Sequence, residues 1–475
     1  MNSTLMKLYN YSPASLRSVA ASLRGFYLRS WRYGPETDRL VEEALERETW
    51  PLRQWRAWRE ERLAYVLHRA ATQVPYYREQ WAARRRGGDK ASWEYLENWP
   101  TLEKDSVREN PHAFVAEDCN VRRMFCEHTS GTTGKPMTLW WSLRTVREWY
   151  ALAEARWRKW HGVSRHDRWI MLGGQLVSPA SQQRPPFWVF NKGLNQLYMS
   201  SYHLSPRLLK YYLGAIAKYR PVYMMGYSSA MAALAQAVLE SGRQDLRLAV
   251  ATSNAEPLYD YQRLAIAQAF KCPVRETYGM GEIVAHASEC AEGRLHLWPE
   301  VGWVEVMDEG RVLADGNSGE LVCTGLFNAD MPLIRYRVHD RGTLAGKPDQ
   351  CQCGRTLPII GSVEGRVDDV IYTVDGRCIG RLDPLFKGDL PIREAQIIQE
   401  ELDCIRVCYV PTSNFRIDYE GVIAQRLKAR VGNVKVVMEP MAEIPRGSNG
   451  KFRAVVSRLS KANSREALSA PESRL

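Results

Sequence analysis

The spacing of apolar positions divides the chain into three regions. In the first hundred residues Leu, Trp and Val recur at helical intervals among Arg and Glu, which predicts packed amphipathic helices whose Trp and Leu stripes form core. From Arg168 to roughly Asp340, short apolar runs alternate with helical stretches, the rhythm of α/β layering. After Asp369, two strand-like runs, a helix and a third strand-like run predict a separate α+β unit.

These patterns predict an α/β fold with a large N-terminal domain and a smaller C-terminal α+β domain. The large N-terminal domain spans residues 1–366, and its helical N-terminal part covers residues 1–110. The small C-terminal domain spans residues 367–465, and the family resemblance given below implies that it is mobile and joined by a hinge. Residues 466–475 are polar and form a flexible tail.

Charge and composition narrow the class of protein. The net charge of +11 is spread along the chain and interleaved with Glu and Asp, so it predicts a basic surface and no nucleic-acid site. A phosphate-rich small ligand such as ATP and weak contact with membrane lipid are alternative uses of this charge. The sequence contains no apolar run long enough to cross a bilayer, and the N-terminus lacks an apolar block followed by a cleavage site. We therefore expect a cytoplasmic protein without a transmembrane segment.

One stretch has the composition of a phosphate-binding loop. Glycines let backbone amides turn toward an anion, hydroxyls add donors, and a lysine supplies charge. The stretch is not a Walker P-loop, because Thr129 stands where that motif requires Gly. A flexible Ser/Thr/Gly turn is the alternative for this stretch. Its residues are Ser130, Gly131, Thr132, Thr133, Gly134 and Lys135.

Four further motifs follow this loop in a fixed order. They are YGMGE at 278–282, RYRVHD at 335–340, GRVDD at 365–369 and GSNGK at 447–451. The ordered set resembles the adenylate-forming superfamily, which includes acyl-CoA and aryl-CoA ligases. Within it the chain is most similar to the phenylacetate-CoA ligase group, and especially to its CapK-type branch, named for capsular polysaccharide biosynthesis.

Segments along nearly the whole chain carry the second resemblance, and two departures stand beside them. The segments are YYR at 76–78, AEP at 255–257, EC at 289–290, CQCGR at 351–355 and EAQIIQ at 394–399. His128 stands where Ser or Thr commonly opens the loop, and the segment after Asp369 lacks the Gly-Val-Asn-Val-Phe-Pro-like run of phenylacetate-type enzymes. The second departure leaves open whether the acid is phenylacetate and whether the acceptor is coenzyme A.

The resemblance implies a reaction. ATP would activate a small carboxylic acid as an acyl-adenylate with release of pyrophosphate, and the acyl group would pass to an acceptor, in the first instance coenzyme A. The alternative acceptors are an amine, a sugar or a carrier protein in polysaccharide or natural-product biosynthesis.

The resemblance also implies a role for each matching residue. Ser130, Thr132, Thr133 and Lys135 would hold the β- and γ-phosphates, and Glu282 would bind Mg²⁺. Asp340 would accept from the ribose hydroxyls, and Arg366 would reach ribose or phosphate. Asp368 would be the hinge, and Lys451 would enter the site only for adenylation. Adenine would be framed by Ala255, Glu256, Pro257, Tyr278 and Gly279.

A cysteine and histidine set suggests a metal site. Cys290, His296, Cys351 and Cys353 would supply three thiolates and one imidazole, a closed tetrahedral set for Zn²⁺. The gap between Cys351 and Cys353 is shorter than usual for zinc, so spacing alone favours buried thiols. The resemblance to the phenylacetate-CoA ligase group implies a structural zinc instead.

Two other classes of protein match the sequence less well. A hydrolase would need a nucleophile elbow at 226–230, but Ala230 replaces the final Gly of that motif. A non-catalytic basic binding module does not explain why Glu282, Asp340 and Lys451 occur in motif order. A homodimer is left open by the sequence.

Overall fold

The computed structural model describes most of the chain. The described residues are 8–129, 137–179, 181–256, 258, 260–346, 351–364, 371–373, 375, 377–379, 382, 385, 390–442, 444 and 455–459. The predictions made for residues 130–135, Pro257, Arg366, Asp368 and Lys451 lie outside these ranges.

Helices dominate the N-terminal region, as the apolar spacing predicts. Proline marks several helix starts, because its fixed φ suits the first turn and its missing N–H costs nothing there. Pro13 and Pro51 precede two of the helices and Pro75 opens a third. The helices are α1 (Ala14–Arg32), α2 (Thr37–Arg47), α3 (Leu52–Gln73), α4 (Pro75–Arg86) and α5 (Lys104–Glu109).

The predicted burial of the N-terminal apolar stripes holds for α3 and α4 but is wrong for α1. Trp55, Leu67 and Trp81 are buried in the core, whereas Leu16 and Leu23 on α1 are 56% and 66% exposed. A helical repeat reveals an apolar face but not which neighbour covers it. On α1 a face of small and polar residues packs inward instead.

A mixed sheet forms the centre of the fold. Within the described residues it has 13 strands in the order β12-β11-β13-β14-β15-β10-β9-β8-β7-β6-β3-β5-β4. Strands β5, β3, β6, β7 and β8 run parallel, β4 is an antiparallel edge, and the other half from β9 onward is antiparallel. The strands are β3 (Trp169–Gly173), β4 (Trp188–Asn191), β5 (Gln196–Ser200), β6 (Tyr223–Gly226), β7 (Val250–Ser253), β8 (Val274–Gly279), β9 (His286–Glu289), β10 (Leu295–Leu297), β11 (Gly302–Asp308), β12 (Arg311–Val312), β13 (Gly319–Gly325), β14 (Tyr336–Leu344) and β15 (Ile359–Glu364).

Helices and a hairpin complete this α/β layer. Helices α7 (Pro206–Tyr219), α8 (Ser228–Glu240) and α9 (Asp260–Phe270) contribute to one buried cluster with the parallel strands. They lie in the region where the sequence predicts helical stretches between apolar runs. The hairpin of β1 (Phe125–His128) and β2 (Thr138–Trp141) leads into α6 (Leu143–Ala153) and a π-helical turn at Glu154–Arg158.

A smaller α+β unit follows the large domain, which agrees with the predicted fold class. Its sheet has the order β20-β19-β18-β21 and packs against one helix. Arg377 donates to the carbonyl oxygen of Tyr202, and the Tyr202 ring joins the apolar cluster of the small unit. The elements are β16 (Ile371–Tyr372), β17 (Cys378–Ile379), β18 (Ile392–Glu401), β19 (Cys404–Pro411), α10 (Asp418–Val431), β20 (Lys435–Pro440) and β21 (Val455–Ser457).

Within the described ranges, no helix combines the length and the apolar character that crossing a bilayer requires.

Candidate active site

The candidate site lies where the parallel half of the sheet meets the antiparallel half. Strands β7 and β8 are parallel neighbours, and Ser253 pairs with Glu276 in their register. Their carboxyl ends therefore meet at one edge, the usual ligand-binding edge of such sheets. The predicted adenine-framing residues Ala255 and Glu256 follow β7, and Tyr278 and Gly279 end β8. The segment that follows β7 and the end of β8 thus lie at the same edge of the sheet.

The Ser/Thr/Gly loop is fixed at both ends next to the YGMGE motif. Thr129 donates its N–H to the carbonyl of Met137 at 3.0 Å, and Met137 donates its N–H to Thr129 Oγ1 at 3.2 Å. A Cβ added at Gly281 would lie 3.3 Å from Thr129 Cγ2, so this glycine permits a close approach. Thr129 and Met137, which stand on either side of the Ser/Thr/Gly stretch, are therefore paired, and Thr129 lies against Gly281.

Glu282 is buried and ionised. Lys104 Nζ lies 2.9 Å from Glu282 Oε1, and the Tyr336 hydroxyl donates to the same oxygen at 2.9 Å. Burial raises the pKa of the Glu282 carboxyl, but the charge and hydrogen bond of Lys104 and the bond from Tyr336 outweigh it, so the pKa lies below its usual value. The site thus holds a buried ion pair of Glu282 and Lys104, with Tyr336 bonded to the same carboxylate oxygen.

Lys104 reaches Glu282 because the chain ahead of α5 runs beside β14. Leu102 donates its N–H to the Arg335 carbonyl at 2.9 Å and accepts from the Arg337 N–H at 3.0 Å. This short parallel bridge carries Lys104, the first residue of α5, to the buried carboxylate. The sequence analysis gave no role to Lys104, because a single lysine in a polar segment carries no motif.

Tyr278 and Asp340 form a second polar contact of the site. The Tyr278 hydroxyl donates to Asp340 Oδ2 at 3.0 Å, and both side chains are partly buried. The contact joins the end of β8 to the middle of β14. The structure therefore brings together the residues predicted to frame adenine and to bind ribose.

Glu256 is held by the start of α8. Its Oε2 accepts from the Ser229 N–H at 3.0 Å and from the Ser228 hydroxyl at 3.3 Å. A carboxylate at a helix N-terminus is stabilised by the unpaired N–H groups and the helix dipole. Ala255, just before it, has a φ of 64°, which turns the chain sharply after β7.

His286 lies directly behind the YGMGE motif, and the sequence analysis missed it. It is the register partner of Gly279 across β8 and β9, and a Cβ at Gly279 would lie 1.9 Å from His286 Nδ1. Trp157 Nε1 donates to His286 Nε2 at 3.1 Å, so a neutral ring carries its proton on Nδ1. Burial lowers the pKa of His286 to about 3. Only glycine at position 279 therefore leaves room for the neutral His286 ring.

The four predicted zinc ligands converge in one cluster. Their ligand atoms all lie within 4.8 Å of one another. Cys290 Sγ is 3.7 Å from Cys351 Sγ, and Cys353 Sγ is 3.4 Å from His296 Nε2. Thiolates at 2.3 Å around a tetrahedral Zn²⁺ would be roughly 3.8 Å apart, so the spacing fits that ion.

The histidine of this cluster is oriented by the backbone. His296 Nδ1 lies 3.1 Å from the Leu357 carbonyl, which can only accept, so Nδ1 carries the proton. Nε2 then presents its lone pair to the cysteines, the arrangement common for metal-bound histidine. Strands β9 and β10 and the loop before β15 thus bring the three cysteines and His296 together. The short spacing of Cys351 and Cys353, taken alone, favours isolated buried thiols.

Comparison with known proteins agrees with this geometry. The AMP-binding enzyme family matches residues 56–330, and the CapK C-terminal domain matches residues 371–458. Protein CapK of Staphylococcus aureus is 26% identical over 461 residues, which cover 95% of this chain and 99% of that protein. Phenylacetate-coenzyme A ligase of Thermus thermophilus is 26% identical over 458 residues, which cover 86% and 98%.

Solved structures support the fold. A 2-hydroxyisobutyryl-CoA ligase in complex with 2-HIB-AMP and CoA superposes with a TM-score of 0.54 at 19% identity, covering 86% of this chain and 91% of that one. The AMP-binding family alone spans more than half of the chain. The chain therefore belongs to the AMP-binding enzyme family, and it is an adenylate-forming ligase of the phenylacetate-CoA ligase and CapK type.

Proposed function

We propose that this enzyme activates a small carboxylic acid with ATP as an acyl-adenylate, releases pyrophosphate and transfers the acyl group to coenzyme A. The observation that carries the proposal is the buried Glu282 carboxylate, which lies 2.9 Å from Lys104 Nζ and directly follows Gly281, the residue that lies against Thr129 at the start of the Ser/Thr/Gly loop. The names of the relatives support the acceptor, since several are phenylacetate-coenzyme A ligases.

Glu282 suits a hard divalent cation. Its carboxylate is ionised, and two of its contacts fall on one oxygen, Oε1. Mg²⁺ prefers one or two carboxylates together with phosphate oxygens, and when bound it neutralises the charge of the triphosphate. Lys104 and Tyr336 would keep Glu282 ionised and oriented for that purpose.

The contact between Tyr278 and Asp340 would serve the nucleoside. Asp340 has acceptor oxygens for both ribose hydroxyls, and the Tyr278 hydroxyl would hold the carboxylate in place. The Tyr278 ring, with Gly279, Ala255, Glu256 and Pro257, would frame adenine. Glu256 would act mainly by fixing the turn after β7, because its Oε2 is engaged by α8.

The remaining roles belong to residues outside the described ranges. Ser130, Thr132, Thr133 and Lys135 would hold the β- and γ-phosphates, and Arg366 would contact ribose or phosphate. Rotation about Asp368 would bring Lys451 to the site for adenylation and remove it for acyl transfer. These assignments rest on the motif order and on the family.

The cysteine and histidine cluster is proposed as a structural Zn²⁺ site. Cys290, His296, Cys351 and Cys353 fit a closed four-ligand set, so no position is left for catalysis. Bound Zn²⁺ would join the β9–β10 turn to the loop ahead of β15.

Pyrophosphate exchange across a panel of carboxylic acids tests the proposal directly. We expect at least one class of acid to support ATP–pyrophosphate exchange without an acceptor, and AMP release only when coenzyme A is added. AMP release with amines and not with coenzyme A would assign the alternative acceptor. Failure of every acid in the panel to support exchange would contradict adenylation.

Asp340→Ala links this assay to the site. The loss of charge-assisted bonds to ribose, about 1.5 kcal/mol each, is expected to raise the KM for ATP about tenfold or more. Tyr278→Phe is the matched control, because it keeps the Asp340 carboxylate and removes only its partner hydroxyl, so a smaller rise is expected. An unchanged KM for ATP in Asp340→Ala would remove Asp340 from the site.

A further inference from the structure

Helix α1 exposes its apolar face. Leu16 and Leu23 are more than half exposed, and their neighbours along the same face are exposed as well. The face consists of Leu16, Val19, Leu23, Phe26 and Tyr27, and the exposed Leu8 and Tyr11 precede it. The five residues of the face follow one another at intervals of three, four, three and one residues, which places all five on one side of the helix.

Specific contacts hold α1 in this orientation. The Phe190 N–H donates to Ser18 Oγ at 3.2 Å, and the Lys192 N–H donates to Ser22 Oγ at 3.0 Å. The Ser22 hydroxyl also donates to the Phe190 carbonyl at 3.2 Å. A Cβ at Gly25 would lie 1.7 Å from Asn191 Oδ1, so the helix can approach β4 this closely only with glycine there.

This arrangement is the reverse of an ordinary surface helix. Such a helix buries its apolar stripe and exposes its polar side. Here the small and polar side of α1 forms hydrogen bonds with backbone groups at the edge strand β4. Rotation of the helix would break those bonds. A contiguous apolar face that specific contacts hold exposed to solvent indicates an interaction surface.

The charge around this face identifies the partner. Residues 8–35 contain Arg17, Arg24, Arg29 and Arg32 and no aspartate or glutamate. Arg17 is buried, and the Arg32 guanidinium lies 4.3 Å from the centre of the Tyr150 ring. Arg24 and Arg29 are exposed on α1, and the Arg24 guanidinium lies 5.0 Å from the centre of the Tyr27 ring. An apolar stripe with aromatic residues and flanking arginines is the pattern of helices that lie in the interface of an anionic bilayer.

A second copy of the chain fits this face less well. A two-fold contact through α1 would place the arginines of one copy near those of the other, and the segment has no acidic residue to compensate. We propose that α1 docks the enzyme on an anionic lipid surface, with Leu16, Val19, Leu23, Phe26 and Tyr27 in the headgroup boundary. This contact is independent of the adenylation chemistry.

Vesicle co-sedimentation of the full chain tests the proposal. We expect binding to vesicles of phosphatidylcholine with about 30 mol % phosphatidylglycerol, weaker binding to pure phosphatidylcholine, and loss of binding at high salt. Leu23→Asp/Phe26→Asp should lower the partition coefficient about tenfold or more, because two apolar side chains leave the interface. Absence of wild-type binding to both vesicles would overturn the proposal.

A matched control and a sizing experiment complete the test. Leu264→Asp changes a leucine that is 61% exposed on α9, and it should leave vesicle binding unchanged. Thermal melting should show that all variants are folded. Equal vesicle binding by Leu23→Asp/Phe26→Asp would contradict the proposal. So would a wild-type dimer in sedimentation velocity that this variant converts to monomer, since the face would then bind a second copy.

Discussion

Lys104 and Glu282 form an ion pair of 2.9 Å in which the two side chains are only 10% and 6% exposed. They are 178 residues apart in the sequence and come from a helix start and a loop after a strand. A buried pair of this kind contributes little net stability, but removing one partner leaves an uncompensated charge.

The first prediction concerns Lys104→Met. The variant leaves the Glu282 carboxylate buried without its cation, so we expect a loss of about 3 kcal/mol in the free energy of unfolding. Denaturant unfolding measures it. Lys104→Arg should lose less, and Lys90→Met changes an exposed lysine and should cost almost nothing. A Lys104→Met protein as stable as Lys90→Met would show that the ion pair is not formed in solution.

The second prediction concerns His286 and pH. Burial lowers the pKa of His286 to about 3, while an unfolded histidine titrates near 6.5. Between these values the unfolded chain binds the extra proton, so the free energy of unfolding rises with pH and stability is lost as pH falls below about 6.5. At pH 5 the loss from this group is about 2 kcal/mol.

Comparison with His286→Gln isolates this titration from those of other histidines. The wild type should lose more stability than the variant between pH 7 and pH 5, with a slope difference approaching one proton. Denaturant unfolding at a series of pH values measures both curves. Parallel curves would show that His286 titrates normally and is not buried as the structure has it.

The third prediction concerns the proposed zinc. Cys351→Ser/Cys353→Ser removes two of the four converging ligands, so protein purified without added metal should lose its zinc, about one ion per chain in the wild type. Cys272→Ser, which changes a buried cysteine outside the cluster, is the control and should retain the metal. Elemental analysis decides, and equal zinc in the double variant and the wild type would contradict the site.

The spacing of apolar residues predicted the alternation of strands and helices in the large domain. The short apolar runs between Arg168 and Asp340 predicted strands that alternate with helices, and β8 (Val274–Gly279) lies in this region. The resemblance to the phenylacetate-CoA ligase group, and not the spacing, predicted the set Cys290, His296, Cys351 and Cys353, and these residues converge in the structure. Lys104 and His286 were missed because their partners lie across the fold and neither belongs to a motif.

The orientation of α1 shows a different limit. Apolar periodicity correctly predicted a helix, yet burial of its apolar face was wrong. The missed signal was the spacing of Ser18, Ser22 and Gly25, three small residues on one side that allow a close approach to β4. A face of small residues can therefore be the buried face of a helix even when the same helix also has an apolar face.

The last prediction separates the two half-reactions through Lys451, which belongs to the GSNGK motif. If this lysine stabilises the charge that develops between the α-phosphate and the attacking carboxylate, Lys451→Ala should slow adenylate formation by about 10²–10³. Acyl transfer would use the other domain arrangement, so the variant supplied with a presynthesised acyl-adenylate and acceptor should form product at a near-normal rate. Lys435→Ala, on the exposed side of β20, is the control and should leave both rates unchanged. Single-turnover measurements of each step test this prediction. Equal loss of both half-reactions in a folded Lys451→Ala protein would contradict the two-arrangement mechanism. If neither half-reaction is slowed, Lys451 is not part of the active site.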